Sequence, residues 1–260
     1  MPSAGSAPTF PGVPAVAVPG RGRKWMKGFI FEELNGGASC RTYLIVSPRT
    51  REALIVDPVL ELVPAYMQRL AKDQLRPVLV VDTHTHADHL SGGRELARMT
   101  GTVHAGAPAG SVQRVLGEGD VLVVGDLRLT IWASPGHSAD GLALVMGDRV
   151  LTGDTLLIGA TGRTDLPTGD AESEYRSLQR LLALPEDTLV FPSHDYGGRT
   201  FSTIGHERLT NPRLRLDHEA FIRLMTTPRT EKPARLAESL AYNTRPLDAH
   251  DAPAEQLPAL

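Results

Sequence analysis

Residues 78–89 read VLVVDTHTHADH. Four apolar residues suited to a buried strand run directly into three histidines and two aspartates. Residues two apart on an extended segment point to the same side, so His84 and His86 converge on one point. Asp88 and His89 follow where the pattern turns helical, over Leu90 to Met99 with Gly101 as the stop, and so face the same pocket from another direction. Imidazole nitrogen and carboxylate oxygen are the donors that suit zinc or iron(II). A lone loop histidine is ordinarily solvated or structural, whereas this spacing after an apolar strand points to a metal.

Three more candidates sit at the ends of later strands. They are His137 in SPGHSADG, Asp154 in LTGDTLL and His194 in FPSHDYGG, each beside Gly, Ser or Pro where a loop can approach an ion closely. His104, His206, His218 and His250 lack such a setting and are read as structural or surface residues.

Outward from these motifs, the pattern predicts strands over Phe29–Leu34 and Cys40–Val46, separated by the turn Asn35-Gly36-Gly37, and another over Ala53–Pro58. Leu62–Leu75 has helical spacing. Strands and hairpins fill 103–151, notably Val121–Val124, Leu127–Ala133 and Leu142–Met146, with a Gly147-Asp148 turn before Val150. Asp170 is positioned to cap a helix over Ala171–Leu184, Thr188–Phe191 is a short strand, and His218–Met225 and Pro233–Tyr242 are helical. Hairpins in the middle argue against a doubly wound sheet and for an α/β sandwich.

The chain has 260 residues, 41% of them apolar and 22% charged, which is ordinary for a soluble globular protein. A formal charge of −3 gives no reason to expect nucleic acid or an anionic membrane as partner. Prolines interrupt the first 25 residues, so a signal peptide is not expected there, and no stretch has the length of a membrane span. The organisation expected is a disordered tail over 1–25, one domain over 26–248 with a helical C-terminal segment, and a flexible tail over 249–260. Cys40 is the only cysteine, which excludes an intramolecular disulfide and suggests a reducing, cytoplasmic setting. As a lone Cys in an apolar strand it reads as a small core residue. Other chemistries fit poorly: GHSADG lacks the final glycine of a nucleophile elbow, no phosphate loop is present, and GGREL is too short for a dinucleotide fingerprint.

THTHADH matches the H-x-H-x-D-H signature of the metallo-β-lactamase superfamily, and GH at 136–137, GD at 153–154 and His194 supply its other metal motifs in order. The resemblance runs from about Phe29 to Arg245 and implies an αββα sandwich with the metal at one edge between the sheets. Within the superfamily, TGDTLLIGATGRTDL, FPSHDYGG, FSTIGHERLTNPRL and YNTR resemble the persulfide dioxygenases. That resemblance implies a single iron(II) held by His84, His137 and Asp154. His86, Asp88, His89 and His194 would orient those ligands and shape the pocket. Glutathione persulfide and dioxygen would be the substrates, and sulfite and glutathione the products. Arg163, Asp165 and Tyr196 are candidates for organising the substrate pocket, and Asn243 and Arg245 for contacting glutathione. An internal Arg163–Asp165 ion pair is an equally good reading. The oligomeric state stays open, with a homodimer among the options.

The chain also departs from the pattern. Members near the animal protein have Cys before GRTD, Phe after it and Cys after the final Arg. This chain has Thr161, Leu166 and Pro246 at those places, which bears on substrate preference. A rival reading is a dinuclear glyoxalase II-like thioester hydrolase, in which His84, His86 and His137 hold one zinc, Asp88, His89 and His194 the other, and Asp154 bridges. GRTD, HDY-x-G and NPRL fit the dioxygenases better, and the chain after His194 is short for that hydrolase's helical domain. A non-catalytic metal- or persulfide-binding module is the alternative of another class, disfavoured by the intact ligand set.

Overall fold

A computed structural model describes residues 24–26, 28–35 and 40–248 of the chain. Most of the expected N-terminal tail, the tail over 249–260 and the glycines of the Asn35–Gly37 turn lie outside the described residues.

Seven strands form the first sheet in chain order: β1 (Lys24–Met26), β2 (Phe29–Glu33), β3 (Tyr43–Val46), β4 (Glu52–Val56), β5 (Arg76–Val81), β6 (His104–Gly106) and β7 (Arg114–Val115). Pairing is antiparallel up to β4 and parallel from β4 to β7. Helices α1 (Val63–Lys72) and α2 (Gly93–Thr100) make the parallel crossovers. The second sheet contains β8 (Val121–Val124), β9 (Leu127–Ala133), β10 (Leu142–Met146) and β11 (Arg149–Gly153). A ribbon of β12 (Leu156–Leu157) and β13 (Ala160–Thr161) follows, then α3 (Ala171–Leu182), β14 (Leu189–Pro192), β15 (Ser202–Thr203), α4 (Ile204–Thr210), α5 (His218–Thr226) and α6 (Leu236–Asn243). The order in that sheet is β15-β14-β11-β10-β9-β8.

The period-two alternation of each strand sorts side chains into three apolar layers. Tyr43, Ile45, Leu54, Val56 and Val81 meet Leu129, Ile131, Leu142, Leu144 and Leu151 between the sheets. Leu44, Val46, Ile55 and Val80 point outward against Val63, Tyr66 and Leu70 of α1 and Leu96 of α2. Ala143, Val150 and Val190 point outward against Leu178 and Leu181 of α3 and Phe221 of α5. Each sheet therefore has one face in the central layer and one under helices, which is the αββα sandwich. None of the described helices is long and apolar enough to cross a membrane.

Most boundaries fall within a few residues of those read from the sequence, and the differences have local causes. Lys24 and Trp25, placed in the tail, pair with Phe31 and Ile30 of β2. Helix α2 starts at Gly93 rather than Leu90, because Ser91 is held in a bridge to Val59 and Leu60 N–H donates to the Leu90 carbonyl. Gly101 ends α2 in the left-handed conformation (φ 70°), and Asp170 caps α3 by accepting from Ser173 N–H. β15 and α4 are too short to leave a periodic signal; Thr203 caps α4 by accepting from His206 N–H.

The carboxyl ends of β4, β5, β11 and β14 all open on one edge of the sandwich, the customary ligand side where strands run parallel. Backbone bonds stitch the sheets there: Leu142 N–H donates to the Thr83 carbonyl, 2.7 Å, and Arg41 N–H to the Ser193 carbonyl, 2.8 Å. Beside this edge, buried Asp82 accepts from Ser91 Oγ, 2.6 Å, and His104 Nε2, 2.9 Å. Burial alone would raise its carboxyl, but the His104 contact outweighs this and lowers it to about 2. A depressed carboxyl stabilises the fold above its ordinary pKa of about 4, and that contribution is lost as pH falls through the folded value. Asp82→Asn is therefore expected to cost roughly 2 kcal/mol near neutral pH, measured by urea unfolding. The gap from the unsubstituted chain should close on acidification below about pH 4; a gap independent of pH would refute the assignment.

Candidate metal centre

The structure brings His84, His137 and Asp154 together, with one donor atom of each within 4.8 Å of the others. His84 comes from the loop after β5, His137 from the β9–β10 connection and Asp154 from the end of β11. Both glycines that precede ligands are required. Gly136 (φ 147°) lies so close to the Glu174 backbone of α3 that a Cβ would collide, and Gly153 (φ 53°) lies in the left-handed region over Thr83.

Hydrogen bonds fix which nitrogen each imidazole presents. His137 Nδ1 lies 2.9 Å from the Arg163 carbonyl, which can only accept, so Nδ1 carries the proton and Nε2 is left as a donor to metal. Nε2 is 3.6 Å from Asp154 Oδ2. Thr83 Oγ1 donates to Asp57 Oδ2, 2.8 Å, so it accepts from His84 Nδ1–H, 3.0 Å, and His84 too presents Nε2. Burial, with the charges of His86 and His137, lowers the His84 pKa to about 4, so the ring is neutral at ordinary pH. Burial would raise the Asp154 carboxyl, but His194, His137 and His84 hold it well below the carboxylate range. Two imidazoles that each present Nε2 and one carboxylate thus face one point.

The other signature residues are turned to one another. His86 Nε2 donates to Asp57 Oδ1, 3.2 Å. His194 lies between two carboxylates, with Nδ1 2.7 Å from Asp154 Oδ1 and Nε2 3.0 Å from Asp88 Oδ2. Burial would lower the His194 pKa, yet these two carboxylates raise it well above the ordinary value, and the ring is a bridging cation. His89 Nδ1 lies 3.3 Å from Asp88 Oδ1.

Asn243 is buried beneath the signature loop rather than facing open space. Its amide donates to the carbonyls of His86, 2.8 Å, and His89, 2.9 Å, and its carbonyl accepts from Ser91 N–H, 2.8 Å. Arg163 makes a two-pronged ion pair with Asp165, 2.7 and 2.8 Å, and also donates to the Glu231 carbonyl, so the internal pair is present. Lys232 adds a second cation on Asp165, 2.9 Å. Tyr196 is 81% exposed, its ring parallel to that of His194. Arg245 is exposed over the Tyr242 ring, and its carbonyl accepts from Ser111 Oγ.

Sequence reasoning missed Asp57, visible only as the Asp-Pro end of a strand, together with Thr83, Ser193 and Arg41. Arg41 donates to the carbonyls of Thr200, 3.1 Å, and Arg199, and lies 3.6 Å from Asp195, so it secures the loop bearing Tyr196. The NPRL string gains a physical role as well. Asn211 donates to the Ala160 carbonyl and Arg213 to that of Thr161, which holds the segment that presents the Arg163 carbonyl to His137.

A metallo-beta-lactamase superfamily model matches residues 35–111 and 105–194. The chain is 37% identical over 210 residues to the mitochondrial persulfide dioxygenase ETHE1 of Homo sapiens, covering 78% of this chain and 83% of that protein. The chain belongs to the persulfide dioxygenases of the metallo-beta-lactamase superfamily. The crystal structure of ETHE1 from Myxococcus xanthus superposes with a TM-score of 0.78 at 39% identity, covering 81% of this chain and 96% of that one. A hydroxyacylglutathione hydrolase of Tolumonas auensis is 35% identical over 161 residues, 59% of this chain and 61% of that protein. The protein is a sulfur dioxygenase by kinship, an enzyme acting on a small molecule, with a fold that implies a bound metal.

Removing the Asn243 amide leaves two carbonyls and one N–H of the signature loop unpaired. Asn243→Ala is expected to destabilise the chain by about 2 kcal/mol and to speed metal loss to a chelator. Urea unfolding and timed metal retention check this; unchanged values for both would deny Asn243 its clamping role.

Proposed function

We propose that the chain uses one iron(II), held by His84, His137 and Asp154, to oxidise glutathione persulfide with dioxygen, both oxygen atoms going to the terminal sulfur and water then releasing sulfite and glutathione. The observation that carries this reading is the direction in which His86 and His194 are turned. His86 Nε2 is committed to Asp57 and both His194 nitrogens to carboxylates, which argues against a second metal bridged to the first through Asp154. Two imidazoles and a carboxylate on one face suit a non-haem iron(II), which supplies open positions where dioxygen and a sulfur donor meet.

The chain's own groups do the rest. Thr83 and Asp57 orient His84, and the Arg163 carbonyl orients His137, so each ring presents Nε2 to the proposed metal. One carboxylate against a divalent ion leaves a net positive centre that draws an anionic persulfide sulfur. His194, held as a cation between Asp88 and Asp154, fixes the orientation of the Asp154 carboxylate. Tyr196 and Arg245, both exposed, are the groups proposed to meet the peptide part of the substrate, and the Arg163–Asp165 pair to brace the wall beside them. A cytoplasmic location rests on the single cysteine alone.

The hydrolase reading is tested in the same experiment. The purified chain should hold about one iron and consume oxygen with glutathione persulfide, while leaving glutathione thioesters intact. Two tightly held zinc ions with thioester cleavage would overturn the proposal. Asp57→Asn, which loosens Thr83 and His84 without removing a ligand, is expected to weaken iron retention by roughly 10–100-fold, read by equilibrium against a chelator; unaltered retention would count against the Asp57 relay.

A further inference from the structure

Cys40, His86 and His89 form a second cluster of donors that the proposed iron site does not use. The Cys40 sulfur and one nitrogen of each histidine all lie within 4.8 Å of one another. The cluster is closed to solvent: Cys40 is 2% exposed, His86 0% and His89 7%. In each ring one nitrogen is already taken, His86 Nε2 by Asp57 and His89 Nδ1 by Asp88. The two that stay open, His86 Nδ1 and His89 Nε2, are buried with no hydrogen-bond partner. An orphaned buried polar atom costs roughly 1–3 kcal/mol, so two of them, on the two rings that cluster with a thiol, need a common explanation.

We propose that Cys40, His86 and His89 bind a thiophilic divalent cation of the zinc(II) class, at a site separate from His84, His137 and Asp154. The donor set is right for such an ion, with one thiolate and two imidazoles, three protein ligands and a fourth position open. The outer contacts are right as well. Metal-bound histidines ordinarily give their second N–H to a carboxylate, which sets the tautomer and strengthens the donor. Asp57 and Asp88 stand in that relation to His86 and His89. Zinc–nitrogen and zinc–sulfur distances of about 2.0–2.3 Å place ligand atoms some 3.5 Å apart, so the three donors reach an ion by closing up about an ångström.

The local field favours a doubly charged guest. Asp57 Oδ1 lies 3.2 Å from His86 Nε2, and Asp88 Oδ1 3.3 Å from His89 Nδ1. A dication is a large positive charge that two neighbouring carboxylates stabilise. Bound there, the ion ties the segment entering β3 to the signature loop, and it keeps His86 and His89 away from the iron site. None of this depends on the reaction proposed above.

Cobalt(II) titration of the metal-stripped full chain, with a non-thiol reductant present, tests the site. Cys40 is the only cysteine, so a thiolate-to-cobalt charge-transfer band in the near ultraviolet has one possible source. The expected result is two bound equivalents, one of them producing the band. Cys40→Ala should lose the band and one equivalent, with far-ultraviolet circular dichroism unchanged, and His84→Ala should keep the band and lose the other equivalent. A second equivalent without the band, as at Asp88, His89 and His194, would overturn the proposal. So would binding of a single equivalent without the band, or loss of the band in His84→Ala. If Cys40→Ala does not fold, the unsubstituted and His84→Ala spectra decide.

Discussion

Asp57 is the point on which both halves of the sandwich depend. Its Oδ1 accepts from Thr83 N–H, 2.7 Å, and His86 Nε2, and its Oδ2 from Thr83 Oγ1 and Ser193 Oγ, 2.7 Å. A carboxylate accepts about four bonds, and all four are made here, between the ends of β4, β5 and β14. Burial pushes this carboxyl up, yet the charge and hydrogen bond of His86 hold it below its ordinary value, so it stays ionised in the interior. Its backbone has φ 53°, a conformation that Asp tolerates better than most residues, at the exit from β4.

Several groups at the metal edge are one or two bonds from that carboxylate. Thr83 passes its influence to His84, Ser193 holds the segment ahead of His194, and His86 is drawn away from His84. A second support comes from the C-terminal segments. Asn243 clamps the signature loop from below, and Asn211 and Arg213 hold the strand whose extension presents the Arg163 carbonyl to His137. The motifs strung along the chain after Asp154 are thus mostly braces for ligands that precede them.

The sandwich was legible because each strand alternates. Leu142, Leu144 and Met146 face inward while Ala143 and Val145 face α3 and α5, a pattern any two-sided sheet must show. The convergence of His84, His137 and Asp154 was legible because each follows an apolar strand and touches Gly or a short polar turn. Asp57 escaped notice because a strand ending in Asp-Pro looks like a common turn. Asn243 was taken for a substrate contact because its position near the C-terminus says nothing about the loop it is folded beneath.

What the linear chain holds is therefore the layer pattern and the order of the candidate donors, since these follow from side-chain period and from donor chemistry. What arises only on folding is the allocation of nitrogens. Whether His86 serves the same ion as His84, or turns to Asp57 and leaves its other nitrogen beside Cys40, depends on hydrogen bonds between residues 29 or more positions apart. Local sequence cannot encode that choice, because each imidazole is chemically the same donor until a particular carboxylate or carbonyl takes one of its two nitrogens.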